Sequence, residues 1–300
     1  MTGRAVGIDL GGTAVKAGAI SETGTILERR SAPVDAREGP DALLDRIAEI
    51  ARGLGAKDRL GLGCPGVFDR PRGSILEAPN LRFLEGISLT ETLARRLGLR
   101  ADDVRLENDA NAAALGEQWI GAGRGADDLV LVTLGTGVGG GIVLGGRLFA
   151  GPGGMAGEIG HVVVDPLGEV CGCGARGCLE TLASATAARR RAAERNLPQD
   201  LERLSETARR IAGPERALLV EIGADLGRGL AVALTLLDVR LFVVGGGFGG
   251  ALDLLEPGIR AGLAERSYGR RVEDVRVVPA ALGPDAGWIG AARLSLSFRG

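Results

Sequence analysis

Three of the chain's four cysteines, Cys171, Cys173 and Cys178, fall within eight positions, and its only histidine, His161, stands ten positions before the first of them. Thiolates and an imidazole at this spacing make a tetrahedral Cys3His zinc site the natural chemistry. Buried thiols acting as small hydrophobes fit less well, because the intervening Gly172, Gly174 and Gly177 do not pack a core. Four protein ligands leave no open position for water, so the zinc is expected to be structural. It would fix one nitrogen of His161 and aim the other at a ligand. Cys64, in Gly63-Cys64-Pro65-Gly66, stands apart and reads as a core thiol.

Two glycine-rich turns carry a second chemistry. Asp9-Leu10-Gly11-Gly12-Thr13 ends a strand in a carboxylate, then offers backbone N–H groups and a hydroxyl to phosphate oxygens. A hairpin that merely needs glycine explains this turn equally well until the second one, Gly135-Thr136-Gly137, is found. Asp9 is then placed beside the Mg²⁺ of a nucleotide, through water, since that ion keeps several waters. Gly245, Gly246 and Gly247 follow an apolar strand and suit either a backbone lying flat against adenine or ribose, or a plain turn.

A third constellation, Glu107-Asn108-Asp109-Ala110-Asn111, passes from a strand end directly into a helix. Asn and Asp are preferred N-caps there, so capping alone is one explanation. The other is catalytic: sites in α/β proteins gather at strand ends, and phosphoryl transfer to a hydroxyl needs a carboxylate to accept the proton. Asp109 is the candidate base. The runs Arg189-Arg190-Arg191 and Arg209-Arg210 are read as solvated helix faces.

The elements that must position these residues follow from periodicity. Strands at 5–10, 14–20 and 25–30 form an antiparallel meander, followed by a helix at 40–54 and a strand at 60–64. A Pro/Gly loop, a helix at 90–97, a strand at 104–107 and a helix at 110–119 come next. A second meander occupies 129–134, 138–144 and 147–149, and the likeness of its opening to the first points to a duplicated α/β core. Helices are expected at 183–195, 201–212 and 214–237, the last apolar nearly all round and therefore buried. A strand at 241–244, a helix near 251–264, a strand at 275–278 and a helix from 286 complete the chain. Its 300 residues favour two lobes, and 36 basic against 38 acidic residues give no basic excess to recruit nucleic acid. The opening residues lack a signal pattern, and the longest apolar stretch, Leu230 to Val244, is interrupted by Asp238 and Arg240 and too short to span a bilayer. The protein is expected in the cytoplasm, with no membrane partner.

Together, Cys171-Gly-Cys173-Gly-Ala-Arg-Gly-Cys178-Leu-Glu180, Gly157-Glu158-Ile159-Gly160-His161, Asn108-Asp109-Ala-Asn111 and Leu134-Gly-Thr-Gly-Val-Gly-Gly-Gly141 resemble the ROK family, within the actin/hexokinase/Hsp70 ATPase superfamily. The resemblance implies a duplicated, two-lobed actin-like ATPase (ribonuclease H-like) fold with an interlobe cleft. Residues 1–107 would form the small lobe, completed by a C-terminal helix at 287–300, and 108–286 the large lobe with the zinc site. It implies that Asp109 takes the proton from a hexose primary hydroxyl, that Asn108, Glu158, His161 and Glu180 hold the other sugar hydroxyls, and that loops at Gly66 and Asn80 also touch the sugar. MgATP would be the donor and glucose the default acceptor. N-acetylglucosamine, N-acetylmannosamine, mannose and fructose are alternatives that use the same residues. A dimer or tetramer is implied as well. The family's first phosphate turn usually continues Gly-Gly-Thr-Lys, whereas here Ala14 follows Thr13 and the lysine is Lys16, on the same strand face. A sugar-responsive repressor, which in this family carries a helix-turn-helix ahead of the body, is disfavoured by a first strand starting at residue 5. A sugar-binding protein without catalysis requires that Ala14 disable phosphate binding.

Overall fold

Two runs of short, apolar strands each build a five-stranded sheet. In the computed structural model, which describes residues 3–269 and 272–296, the first half of the chain forms β1 (Arg4–Leu10), β2 (Ala14–Ser21), β3 (Ile26–Pro33), α1 (Gly39–Gly53), β4 (Leu60–Cys64), β5 (Val67–Asp69), β6 (Ser74–Glu77), α2 (Leu89–Leu97), β7 (Val104–Asn108) and α3 (Asp109–Ile120). The second half forms β8 (Leu129–Leu134), β9 (Val138–Leu144), β10 (Arg147–Leu148), α4 (Glu180–Ala183), α5 (Ala185–Glu194), α6 (Leu201–Arg210), α7 (Pro214–Leu237), β11 (Leu241–Gly245), α8 (Leu252–Arg266), β12 (Arg276–Pro279) and α9 (Ala286–Leu296). The sheets have orders β3-β2-β1-β4-β7 and β10-β9-β8-β11-β12, the same order used twice, as the repeated opening predicts. In the first, β1 to β3 pair antiparallel while β4 joins β1 and β7 in parallel. In the second, β11 is parallel to both β8 and β12.

The Pro/Gly loop expected after residue 64 contains a hairpin, β5 paired with β6, closed by the turn at Arg70–Gly73. The helix expected at 183–195 is α5, begun by Ser184, which leaves the helical conformation and whose hydroxyl accepts from Ala187 N at 3.0 Å; the separate single turn α4 precedes it. Of the helix expected at 287–300, residues 297–300 lie outside the described ones.

By its contacts the chain divides into two units, one of residues 1–127, 143–156 and 282–300, the other of 128–142 and 157–281. The first unit keeps α3, which packs along α9. Its sheet is covered on both faces. Val6, Ile8 and Leu10 of β1 point into a core with Leu43, Leu44 and Ile47 of α1 and Leu89 and Leu93 of α2. The opposite face carries Ala5 and Ile20 against Trp288, Ile289 and Ala292 of α9. That helix lies close to the sheet because β1 and β4 offer glycines: a Cβ on Gly7 or Gly61 would overlap the Trp288 or Ala291 carbonyl. In the second unit α7 is buried as expected, and it crosses α8 at small residues on both, Gly223 and Gly227 facing Gly258 and Gly262.

Candidate functional site

In the first unit the site begins with register. Asp9, Gly63 and Glu107 are paired across β1, β4 and β7, and Cys64 pairs with Asn108, so the carboxylates share one end of a parallel sheet. Ligands of open α/β sheets bind at that end. Asn108 has extended backbone and caps α3, its Oδ1 accepting from Ala110 N at 2.9 Å and Asn111 N at 3.3 Å. The cap fixes the first turn, on which Asp109 stands. Asp109 keeps part of its surface open, while burial raises its pKa. Asp9 is pushed up to about 6, mainly by burial, then by the charge of Asp109, with Lys16 acting in the opposite sense. Lys16 is the register partner of Asp9 across β1 and β2, so a cation does stand beside this carboxylate. Cys64 is fully buried, and burial together with the charges of Asp109 and Asp9 drives its thiol far above the usual range, as a core thiol requires.

The turn after Asp9 is closed by Gly11 N donating to the Ala14 carbonyl at 2.9 Å. A Cβ on Gly12 would lie 3.0 Å from that of Asn80, so the Asn80 loop is laid against this turn. Thr13 is held by its carbonyl, which accepts from Val34 N at 2.9 Å. Gly66 has a φ of +122° and its missing Cβ would overlap the Glu77 carbonyl, which accounts for the glycine by the hairpin alone.

In the second unit both glycine turns leave the same ends of adjacent parallel strands, β8 and β11, since Gly245 pairs with Thr133. Gly135 N donates to the Gly137 carbonyl at 2.9 Å, and Thr186 Oγ1 donates to the Thr136 carbonyl at 2.7 Å. Structure alone accounts for Gly137, where a Cβ would strike the Glu180 carboxylate, and for Gly246, whose φ of +81° turns it onto the Leu134 backbone. Gly245 has only Ala280 Cβ near its open side, whereas Gly135 and Gly247 face nothing within 4 Å. Those two glycines leave room for a ligand.

The ligand atoms of His161, Cys171, Cys173 and Cys178 all lie within 4.8 Å of one another. Cys173 Sγ and Cys178 Sγ are 3.7 Å apart, and His161 Nδ1 is 3.6 Å from Cys171 Sγ. A zinc ion with Zn–S of about 2.3 Å in a tetrahedron puts sulfurs about 3.8 Å apart, so the set fits zinc and is far too open for a disulfide. The knuckle is shaped by Cys171 N donating to the Ala175 carbonyl at 2.7 Å and by the positive φ of Gly174 and Gly177. Glu158 stands at the head of the turn that carries His161, whose N–H donates to the Glu158 carbonyl at 3.0 Å. Glu180 follows the knuckle directly: Oε2 accepts from Val138 N at 3.0 Å and Oε1 lies 4.0 Å from Cys171 Sγ. One carboxylate thus ties the set of four candidate ligands to the Gly135–Gly137 turn.

Sequence reasoning missed Arg70 and the part played by Glu107. Arg70 forks onto the Glu107 carboxylate with contacts of 2.9 and 2.7 Å, and Glu107 in turn accepts from Asn108 N at 2.9 Å and Asn111 Nδ2 at 3.0 Å. Only the Asp-Arg-Pro-Arg-Gly spacing of a tight turn marks Arg70 in the sequence; its partner is 37 positions away.

The ROK family model matches residues 5–297. Among curated proteins, the glucokinase of Thermotoga maritima is 37% identical over 96% of each chain, and an N-acetylmannosamine kinase of Escherichia coli is 36% identical over 96% of this chain and 97% of its own. Among solved structures, a ROK family glucokinase from Streptomyces griseus in complex with glucose and AMPPNP superposes with a TM-score of 0.78 at 34% identity, covering 99% of this chain and 100% of that one.

Proposed function

The chain belongs to the ROK family, with its actin-like ATPase fold, and from that premise we propose that it transfers the γ-phosphoryl group of ATP to the primary hydroxyl of a hexose, glucose before others. The observation that carries this is Asp109, a carboxylate made more basic by burial and held at a capped helix start, near enough to Asp9 for its charge to raise that carboxylate's pKa. Such a group accepts the hydroxyl proton as the oxygen attacks phosphorus. Asn108, Glu158, His161 and Glu180 would hold the remaining hydroxyls, with the Gly66 and Asn80 loops beside them. His161 turns Nδ1 to Cys171, which leaves Nε2 for the sugar. The Gly11–Thr13, Gly135–Gly137 and Gly245–Gly247 turns are assigned to the nucleotide.

Mg²⁺ suits Asp9, because a carboxylate raised to about 6 by burial and a like charge is one that a cation relieves. When bound, the ion would neutralise charge on the phosphates and favour the ionised form of Asp9; this chain's contribution is to stand Lys16 across from Asp9 and to leave Asp109 able to take a proton. Zinc, with His161, Cys171, Cys173 and Cys178 filling its tetrahedron, would hold the knuckle that ends in Glu180. The described residues contain no helix long and apolar enough to cross a membrane, and a net charge of −2 gives no call on nucleic acid. A cytoplasmic dimer or tetramer completes the proposal. N-acetylmannosamine is the second acceptor to test, given the 36% identical relative.

The test is ADP release with MgATP over glucose, mannose, fructose, N-acetylglucosamine and N-acetylmannosamine. Glucose should give the highest kcat/KM, and Asp109→Ala should lower kcat by at least about a hundredfold. A higher kcat/KM for N-acetylmannosamine would reassign the acceptor, while silence with every sugar would end the kinase assignment.

A further inference from the structure

The carboxylate that touches the start of α3 is not left to itself. Glu107 is 3% exposed and its two oxygens receive four donors: both terminal nitrogens of Arg70, the backbone N–H of Asn108 and the side-chain amide of Asn111. Two of these donors belong to Asn108, one position before Asp109, and Asn111, two positions after it, in the strand-to-helix turn. A buried carboxylate requires such compensation, and a planar guanidinium supplies it with fixed geometry that an ammonium cannot reproduce.

Arg70 reaches Glu107 from the β5–β6 turn, and the same Nη2 lies 3.4 Å from the Gly154 carbonyl. Gly154 has a φ of +75°, and a Cβ there would collide with the Arg70 Nε, so this glycine is shaped around the guanidinium. Three segments of the first unit, the hairpin after Gly66, the turn before Asp109 and the loop that precedes Glu158, are therefore locked through one side chain.

We propose that Arg70 and Glu107 are a positioning pair that holds Asp109 and Asn108 in the orientation needed for proton abstraction. Neither touches the reacting atoms; both act through the turn. The inference rests on the assignment of Asp109 as the base. Removing Arg70 leaves the buried Glu107 charge with two neutral donors and no cation, so the carboxylate shifts toward solvent or takes up a proton, the turn it holds moves with it, and Asp109 loses its fixed aim.

Arg70 is about one third exposed, so it can be replaced without opening a core. Arg70→Ala should lower kcat for the sugar at least tenfold while the KM for ATP stays within twofold, and Arg70→Lys, which keeps the charge but not the fork, should fall between. In the Asp109→Ala background, adding Arg70→Ala should cost less than a further twofold, because the group it positions is gone. A merely structural role would cost the same factor in both backgrounds. The pair is overturned if Arg70→Ala stays within twofold of the parent, or if its loss is equal with and without Asp109. Asp109→Ala alone separates the two claims: retained turnover sinks the base assignment, whereas collapsed turnover with an unaffected Arg70→Ala sinks only the positioning pair.

Discussion

At Asp9 function and stability pull against each other. Burial and the Asp109 charge raise its pKa from 3.8 to about 6, while Lys16 across the strand pair offsets part of the shift. A folded-state pKa above the unfolded one means that ionisation costs the fold. The cost is absent below about pH 4, grows as pH rises through about 6 and is constant above. Asp9→Asn should therefore be more stable than the parent at pH 8 by up to about 3 kcal/mol, and show no gain at pH 4, in denaturant titrations at the two pH values. Turnover should collapse in the same variant, since an amide cannot hold a cation's water as a carboxylate does. A gain of equal size at both pH values would mean that charge is not the cause. Below about pH 6 the parent should also need more Mg²⁺ for half-maximal rate.

The knuckle of residues 161–180 is the element on which the second unit's candidate residues depend. Four candidate ligand atoms within 4.8 Å, few buried side chains and glycines at positive φ give it little to fold around except the zinc proposed for those ligands. Replacing Cys178 with Ser should reduce zinc to well below one per chain by elemental analysis and speed proteolysis between 165 and 177. Through Glu180 and its bond to Val138 N it should raise the sugar KM at least tenfold. Full zinc with an unchanged KM would show that the cluster neither binds the metal nor positions Glu180. This element was legible before the structure because its ligands are close in sequence, as were the glycine turns and the Asn108 cap. The β5–β6 hairpin was not: its strands span only Val67–Asp69 and Ser74–Glu77, and the Pro71 and Gly73 between them read as loop. Arg70 was invisible for a deeper reason, since an ion pair that joins a turn to a strand end 37 positions on leaves no period and no spacing. Glycine misled in a related way. Gly7 and Gly61 look like strand residues of no consequence, yet they set how closely α9 can approach.

Across the whole molecule, neither unit is a continuous stretch of chain. The first is finished only by residues 282–300, whose described part brings Trp288 and Ile289 onto the sheet, places Gly287 against the Asp9 carboxylate, and gives Leu282 N to Glu117 Oε1 at 2.8 Å. A chain ending at Ala281 would expose the glycine-floored groove of β1 and β4, uncover α3 and leave the buried Glu117 short of a donor. Loss of the Trp288 side chain alone costs about 3–5 kcal/mol, of the order of a small domain's whole stability. The 1–281 chain should therefore show no cooperative thermal transition by circular dichroism and no sugar-dependent ADP release, and a sharp transition near the parent's would refute the claim that the last helix completes the first unit. Gly287→Ala provides the milder case. Its Cβ would sit 2.6 Å from the Asp9 Cγ, so the carboxylate has to move while the rest of α9 stays in place. That variant should still melt cooperatively yet require several times more MgATP for half-maximal rate, because the same helix that closes the core also walls the carboxylate assigned to the metal.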